Sequence, residues 1–332
     1  MPMRTPDFWS SKAGPGGRFI ACALSPLSGA FSIAGCARQC LTRPWQAGVP
    51  VICVGNLTAG GAGKTPCVLS IIERLSARSI KAHVLIRGYG GKAAGPLNVD
   101  PAHHDARAVG DEALVLSAVA PTWVGSDRRA AARAAVAAGA QVLVMDDGFQ
   151  NPSLVKDFSL VVIDGGFGFG NGRVIPAGPL REPVARGLAR AQAAVLIGDD
   201  RTHVAARFGA GMALLRARLA PAPGGPELEG RAVVAFAGIG RPDKFFETLD
   251  DGGARVVARH AFADHHPYKK YELTRMVAQA DAAGARAMTT EKDAVRLPAA
   301  ERERIDVLRV RLEWADSDAL DALLDPVIAQ AG

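Results

Sequence analysis

The 332-residue chain is 48% hydrophobic and 22% charged, enough apolar material for one large domain or two ordinary ones and too much for a disordered tail. Its formal charge of +6 comes from 39 basic and 33 acidic residues. Five of those bases (Arg4, Lys12, Arg18, Arg38, Arg43) and one acid, Asp7, fall within residues 1–45, leaving 34 against 32 elsewhere, which argues against a nucleic-acid-binding face spread over the surface.

Residues 19–37 carry no charge, lie between Arg18 and Arg38, and have Trp9 upstream and Trp45 downstream. A helix of that length is about 28 Å long, just short of a typical hydrocarbon core. Ser25, Pro26, Ser28, Gly29, Ser32 and Gly35 lower its hydrophobicity and favour a bend. A helix lying in the plane of a membrane interface, its basic flanks on anionic headgroups, fits best; an ordinary buried first helix and a true span are the alternatives. A cleaved signal peptide fits poorly, because the apolar stretch begins late. All five cysteines (Cys22, Cys36, Cys40, Cys53, Cys67) lie in the first fifth of the chain, with no C-x-x-C pair and no histidine cluster. That usage points to free thiols in a reducing compartment rather than to a disulfide framework or structural zinc.

From residue 49 short β-branched runs alternate with helical stretches. Strands are predicted at 49–54, 82–87, 122–125, 141–145, 160–164 and 193–197, and helices at 66–79, 111–119 and 128–138. The alternation implies βαβ units and a mostly parallel sheet covered on both faces. A Pro/Gly-rich connector at 220–230 precedes a second, smaller α/β unit, with strands at 232–237, 254–259 and 305–312 and helices at 242–249, 271–282 and 317–329. The expected organisation is therefore a membrane-associating segment (1–47), a larger α/β domain (48–225) and a smaller one (226–332).

Thr58-Ala-Gly-Gly-Ala-Gly-Lys-Thr65 joins a predicted strand to a predicted helix. At such a junction glycines let backbone N–H groups converge on phosphate oxygens, Lys64 reaches the β and γ phosphates, and the Thr65 hydroxyl ligates magnesium. Thr58 stands where the generic nucleotide loop has glycine, and Gly60 and Gly61 supply the flexibility. The full candidate phosphate cradle is Thr58, Ala59, Gly60, Gly61, Ala62, Gly63, Lys64 and Thr65. Asp146 and Asp147, at the end of a neighbouring strand, are the candidates for holding the metal, with Asp164 a weaker competitor. Thr290-Glu-Lys-Asp293 does not match the base-reading Asn-Lys-x-Asp of regulatory GTPases, which disfavours that class. Phosphoryl transfer needs a base for the acceptor hydroxyl and cations around the transferred group. Asp111-Glu112, Arg87, Arg128, Arg181-Glu182 and the pair His265-His266 are the candidates. Each also has a plainer reading, such as a helix cap at Asp111 or a strand-ending turn at Arg87-Gly-Tyr89-Gly. A soluble P-loop ligase and an ATP-gated adaptor stay open on the loop alone.

Seven motifs occur in one order over nearly the whole chain: Gly55-Asn-Leu-Thr-Ala-Gly-Gly-Ala-Gly-Lys-Thr-Pro66, Arg87-Gly-Tyr-Gly90, Val109-Gly-Asp-Glu112, Asp146-Asp-Gly-Phe-Gln150, Pro176-Ala-Gly-Pro-Leu-Arg-Glu-Pro183, Phe262-Ala-Asp-His-His266 and Thr289-Thr-Glu-Lys-Asp293. In this the chain resembles the tetraacyldisaccharide 4'-kinases, the lipid A 4'-kinases of Gram-negative bacteria. The resemblance implies a P-loop NTPase-like fold and ATP- and Mg2+-dependent phosphorylation of the 4'-hydroxyl of a tetraacylated disaccharide 1-phosphate, giving lipid IVA on the cytoplasmic face of the inner membrane. It implies Lys64 and Thr65 on ATP and magnesium, Asp111 as the base, and His265 as its partner, with His266 fitting the motif equally. Glu112, Asp146 and Asp147 would serve the metal or neighbouring hydrogen bonds. Arg87, Tyr89, Arg128, Arg181 and Glu182 would shape the sugar and phosphate site. The expected partners are the lipid substrate and the membrane surface, with no nucleic acid and no protein partner.

Overall fold

The computed structural model describes residues 6–93, 95–209 and 211–330. Among them the strands are, in chain order, β1 (Val51–Gly55), β2 (Ala82–Ile86), β3 (Leu97–Asn98), β4 (Thr122–Val124), β5 (Val142–Asp146), β6 (Phe158–Asp164), β7 (Ala193–Ile197), β8 (Ala213–Pro221), β9 (Ala232–Ala237), β10 (Arg255–Ala261), β11 (Arg286–Thr290), β12 (Ile305–Leu308) and β13 (Val310–Trp314). Nine pair in the order β13-β8-β7-β6-β1-β5-β2-β4-β3, and four in the order β10-β9-β11-β12. In the larger sheet only the edge strands β3 and β13 run antiparallel. Strands β1, β2, β5, β6 and β7 are buried at every residue, which explains runs of apolar residues without alternation.

One face of this sheet packs against helices Lys64–Ala77, Asp111–Ser117 and Ser317–Ile328 through residues such as Ile71, Leu75, Leu116 and Leu324. The other packs against helix Arg128–Ala137 and the 149–180 connection through Ala131, Ala135, Phe149 and Phe169. Asp127 starts the Arg128–Ala137 helix by accepting the N–H groups of Arg129 and Ala130. Register places Val54 of β1 beside Asp146 of β5 on one side and Leu160 of β6 on the other. Because the chain crosses from one half of the sheet to the other at β1, a crevice opens at the carboxyl ends of these strands. The glycine-rich loop and the aspartate pair both lie there.

The smaller sheet is parallel throughout. Phe245, Phe246 and Leu249 of helix Pro242–Asp251 cover one face, and Leu273, Met276 and Val277 of helix Lys270–Ala282 cover the other.

Two expectations need correction. The strand expected at 305–312 breaks at Arg309: its first half is β12, and its second half, β13, crosses to the larger sheet and pairs with β8. The smaller unit thus does not hold residues 310–330. Leu320, Leu324 and Val327 of the last helix join the larger core, Arg74 pairs with Asp321 at 2.8 Å and Arg78 with Asp325 at 2.7 Å. The connector expected from residue 220 is partly β8, whose exposed Arg216 and Arg218 alternate with buried Leu215 and Ala217.

Helix Pro15–Leu41 is 27 residues long and continuous through Pro26. It touches the body along a thin seam of small residues. Buried Ser28 donates to Val174 O at 2.7 Å and accepts Ala177 N at 3.1 Å, and Trp9 Nε1 donates to Pro176 O at 3.0 Å. The opposite face, Phe19, Ala23, Pro26, Ala30, Ile33, Ala37 and Leu41, is exposed and apolar. This inverts the usual arrangement, in which a helix turns its apolar stripe inward.

Candidate active site

The loop after β1 is shaped by its glycines and by one side chain. Gly60 (φ +110°) and Gly63 (φ +93°) adopt conformations that L side chains rarely reach. Asn56 Nδ2 donates to Thr58 O at 2.7 Å. Thr58 is buried and bridged to Leu180, and Ala59 N donates to Pro179 O at 2.7 Å, so the loop is held by the 176–183 segment. Helix Lys64–Ala77 begins directly behind it, with no acid in its first turn, leaving N–H groups and the positive end of the helix dipole for an anion.

Asp146 and Asp147 diverge, as adjacent residues must. Asp147 (φ +54°) faces the cations: Arg181 Nη1 lies 2.7 Å and Lys64 Nζ 3.6 Å from its Oδ1. Burial would raise its pKa, but the Lys64 and Arg181 charges hold the carboxyl below the usual range. Asp146 is 1% exposed; it accepts the Thr65 hydroxyl at 3.3 Å through Oδ2, and its Oδ1 is buried without a partner. Burial, then the Glu112 charge, outweigh Lys64 and push this carboxyl up to about 7. An orphaned carboxylate oxygen beside a threonine hydroxyl is the donor set of a magnesium site, so the residues fit such an ion.

Asp111 is the first residue of its helix, set by Gly110 at φ +88°; it is not the cap. It is buried, and His265 Nδ1 sits 3.0 Å from both its oxygens. Arg296 Nε is 3.4 Å away, Lys292 pairs with Glu112 at 3.0 Å, and the exposed Tyr89 ring lies 5.4 Å from that of His265. Burial works to raise the Asp111 pKa. The His265 hydrogen bond and the charges of Lys292, His265 and Arg296 prevail and hold it low, keeping the carboxylate ionised. The two histidines separate here: His266 Nε2 meets Glu272 at 3.0 Å, in the first turn of helix Lys270–Ala282.

The remaining candidates divide. Arg181 and Lys64 reach the aspartate pair, and Arg87 and Tyr89 are exposed at the end of β2. Arg128 is 3% exposed and donates to Gly125 O at 2.6 Å, beneath Asp146 and Asp147; burial lowers its pKa to about 10. Glu182 is also buried. Arg190 grips both its oxygens at 2.6 Å and Gln150 donates to it at 3.1 Å, so it fixes the segment carrying Arg181. The metal role considered for Asp164 is overturned: Arg241 and Lys244 of the smaller unit occupy its carboxylate, which also accepts Gly166 N.

Sequence reasoning missed Arg296, Lys292, Arg241 and Lys244. Lys292 stands inside a quoted motif, while Arg296 follows it by one turn with no local signal. All four belong to the smaller unit and meet the larger one across a cleft. Gly61–Pro66, Leu69, Glu112 and Val115 line one wall; Ile239, Gly240, Arg241, Lys244, Phe245 and Leu308 line the other. Leu219 and Val310 close its end. The glycine-rich loop thus adjoins an apolar slot of a shape that suits a flat ring.

A family model described as tetraacyldisaccharide-1-P 4'-kinase matches residues 20–329. The tetraacyldisaccharide 4'-kinase of Rhodospirillum centenum is 54% identical over 328 residues, covering 98% of this chain and 97% of that protein. That of Gluconacetobacter diazotrophicus is 54% identical over 323 residues, with 97% and 98% covered. The fold is similar to that of LpxK from Aquifex aeolicus, crystallised as an "apo" form in complex with ATP, with a TM-score of 0.76, 24% identity, and 93% of this chain and 99% of that one covered. The match over nearly the full length, on a fold that sets Lys64 beside the aspartate pair and His265 against Asp111, places the chain in the tetraacyldisaccharide-1-P 4'-kinase family.

Proposed function

We propose that the chain transfers the γ-phosphoryl group of ATP to the 4'-hydroxyl of a tetraacyldisaccharide 1-phosphate, forming lipid IVA, with Asp111 as the base. The observation that carries this is the buried Asp111 carboxylate, next to Glu112 on the wall that holds the phosphate loop and held ionised by His265 of the smaller unit. Loop N–H groups and Lys64 hold the β and γ phosphates, and Thr65 and Asp146, with Glu112 and Asp147 alongside, hold magnesium. When bound, the ion neutralises charge on the phosphate oxygens. Asp111 accepts the hydroxyl proton as the sugar oxygen forms its bond to phosphorus and the bond to ADP breaks. His265 keeps the carboxylate aimed, and Arg181 and Arg87 offset charge on the transferred group and the sugar phosphate. Such chemistry asks little beyond positioning and electrostatic stabilisation.

The four acyl chains of the acceptor require work at a membrane surface. The exposed apolar face of helix Pro15–Leu41 supports in-plane docking at the cytoplasmic leaflet. Its seam contacts at Ser25, Ser28 and Gln39 with the polar body speak against a crossing, which would carry that body into hydrocarbon.

The test is incubation of the purified full-length protein with ATP, magnesium and the detergent-dispersed disaccharide 1-phosphate, with the bis-phosphorylated lipid as expected product. Folded protein giving no such product refutes the reading. Asp111→Ala is expected to lose about 10²–10⁴-fold in turnover with ATP affinity kept, and Lys64→Ala to lose both. An equal loss of ATP binding in Asp111→Ala counts against its being the base.

A further inference from the structure

We propose that the cleft at the start of the docking helix, walled by Arg18, Arg173 and Arg207, binds the phosphate of an anionic glycerophospholipid headgroup. The inference rests on the membrane-surface reading of helix Pro15–Leu41 and adds a specific lipid contact to it. The cleft holds about 330 Å³ between Phe8–Ala13, the first turns of the helix, the 170–173 loop and Arg207. Among the described residues, three arginines line it and no Asp or Glu does. The contacts that orient two of them are uncharged: Arg173 donates to the Ser25 hydroxyl, and Arg207 lies over the Phe169 ring at 5.8 Å.

The walls are built rather than loose. Asn171 Nδ2 donates to Phe8 O and to Ala177 O, both at 2.9 Å, its Oδ1 accepts Arg173 N at 3.0 Å, and its own N–H donates to Trp9 O at 2.8 Å. One side chain therefore ties the N-terminal turn, the arginine loop and the 174–178 segment together. Gly170 has φ +57°, and a Cβ there would lie 2.5 Å from Trp9 O, so only glycine allows this close approach. The helix starts without a side-chain cap and without an acid in its first turn, adding an uncompensated positive end to the three arginines.

Position selects the ligand. Arg18 directly precedes Phe19, which is 76% exposed on the outward apolar face. A helix seated about 5–10 Å into the headgroup and acyl boundary carries this cleft to the level of the lipid phosphates. A phosphodiester there can take forked bonds from planar guanidinium groups, which diffuse attraction to the leaflet does not require. Inorganic phosphate shares the chemistry but is not concentrated at that level.

Two triple variants of the full-length protein test the assignment. One is Arg18→Gln/Arg173→Gln/Arg207→Gln. The other, Arg38→Gln/Arg43→Gln/Arg186→Gln, removes the same charge from the helix's far end, outside the cleft. Co-sedimentation is measured with phosphatidylcholine vesicles, with and without phosphatidylglycerol. A diffuse role costs each variant about fivefold per residue on the anionic vesicles. The expected result is that the cleft variant loses roughly tenfold more than the control on phosphatidylglycerol, while both bind neutral vesicles like the parent. Equal losses overturn the cleft site and leave the docking helix standing. A parent that fails to bind any vesicle overturns the membrane reading itself. Soluble dihexanoyl phosphatidylglycerol should protect the parent from arginine-directed modification at the cleft, and inorganic phosphate protecting equally at the same concentration would overturn the lipid assignment. Unchanged turnover on detergent-dispersed substrate reports that the cleft variant is folded.

Discussion

Replacing Asp146 with Asn should stabilise the nucleotide-free protein while removing the proposed magnesium ligand. Burial, then the Glu112 charge, lift the Asp146 carboxyl from 3.8 to about 7 against the pull of Lys64. About three units at about 1.36 kcal/mol each make the ionised form cost at most about 4 kcal/mol in the folded state. The sign follows from the raised value. The folded state prefers the protonated acid, so the penalty is absent below about pH 4, grows as pH rises through the folded pKa near 7, and is complete above it. Asn keeps an acceptor for the Thr65 hydroxyl and carries no charge. In chelator at about pH 8, Asp146→Asn should therefore melt higher than the parent, by roughly 2–4 °C for each kcal/mol in a domain of this size. At about pH 4 the two should melt together. Adding Mg-ATP should raise the parent and barely move the variant. Thermal scans across pH with and without Mg-ATP read all three effects. A variant less stable than the parent at about pH 8, or a gap independent of pH, refutes the argument.

Removing the His265 partner with His265→Gln should let burial raise the Asp111 pKa, shifting the acid limb of the kcat/KM profile upward and lowering kcat by roughly 10–100-fold with the KM for ATP kept. His266→Gln, which touches Glu272, should leave that limb in place; pH–rate profiles of both variants decide. Asp164→Ala strands Arg241 and Lys244 at a seam where the carboxylate is 4% exposed and should cost about 3 kcal/mol, read as a lower melting temperature and faster proteolytic nicking of residues 222–231.

The parts of the fold legible in the sequence are those set by local pattern. Buried parallel strands read as unbroken apolar runs, and the loop from Thr58 to Thr65 carries its own glycines and lysine. The six strands and three helices read between residues 49 and 197 accordingly lie within a few residues of their predicted places, whereas β3 and most of β8 were not read. The misses depend on tertiary context. Nothing in 305–314 marks Arg309 as the point where the chain leaves one sheet for another, because both halves are plausible strand. Likewise Asp164 looks like a metal-binding strand end until Arg241 and Lys244, some 80 residues later, arrive to neutralise it. The choice between His265 and His266 rested on backbone: φ +58° at His265 turns it toward Asp111 and leaves its neighbour to the next helix.

The division of labour between the two units has a chemical consequence. The larger unit supplies the phosphate loop, the aspartate pair and Asp111, whereas His265, Lys292 and Arg296, which offset the burial of Asp111, come from the smaller one. Without them burial alone raises the Asp111 pKa, and a protonated carboxyl takes no proton from a hydroxyl. The same approach brings Gly240 to Gly61, with a Cβ on Gly240 falling 3.0 Å from Gly61 N, and so roofs the phosphate loop. In the proposed reading, the unit that covers the phosphate loop is therefore also the one that keeps the base ionised, and β13 with its following helix, returning to the larger sheet, ties the two units together.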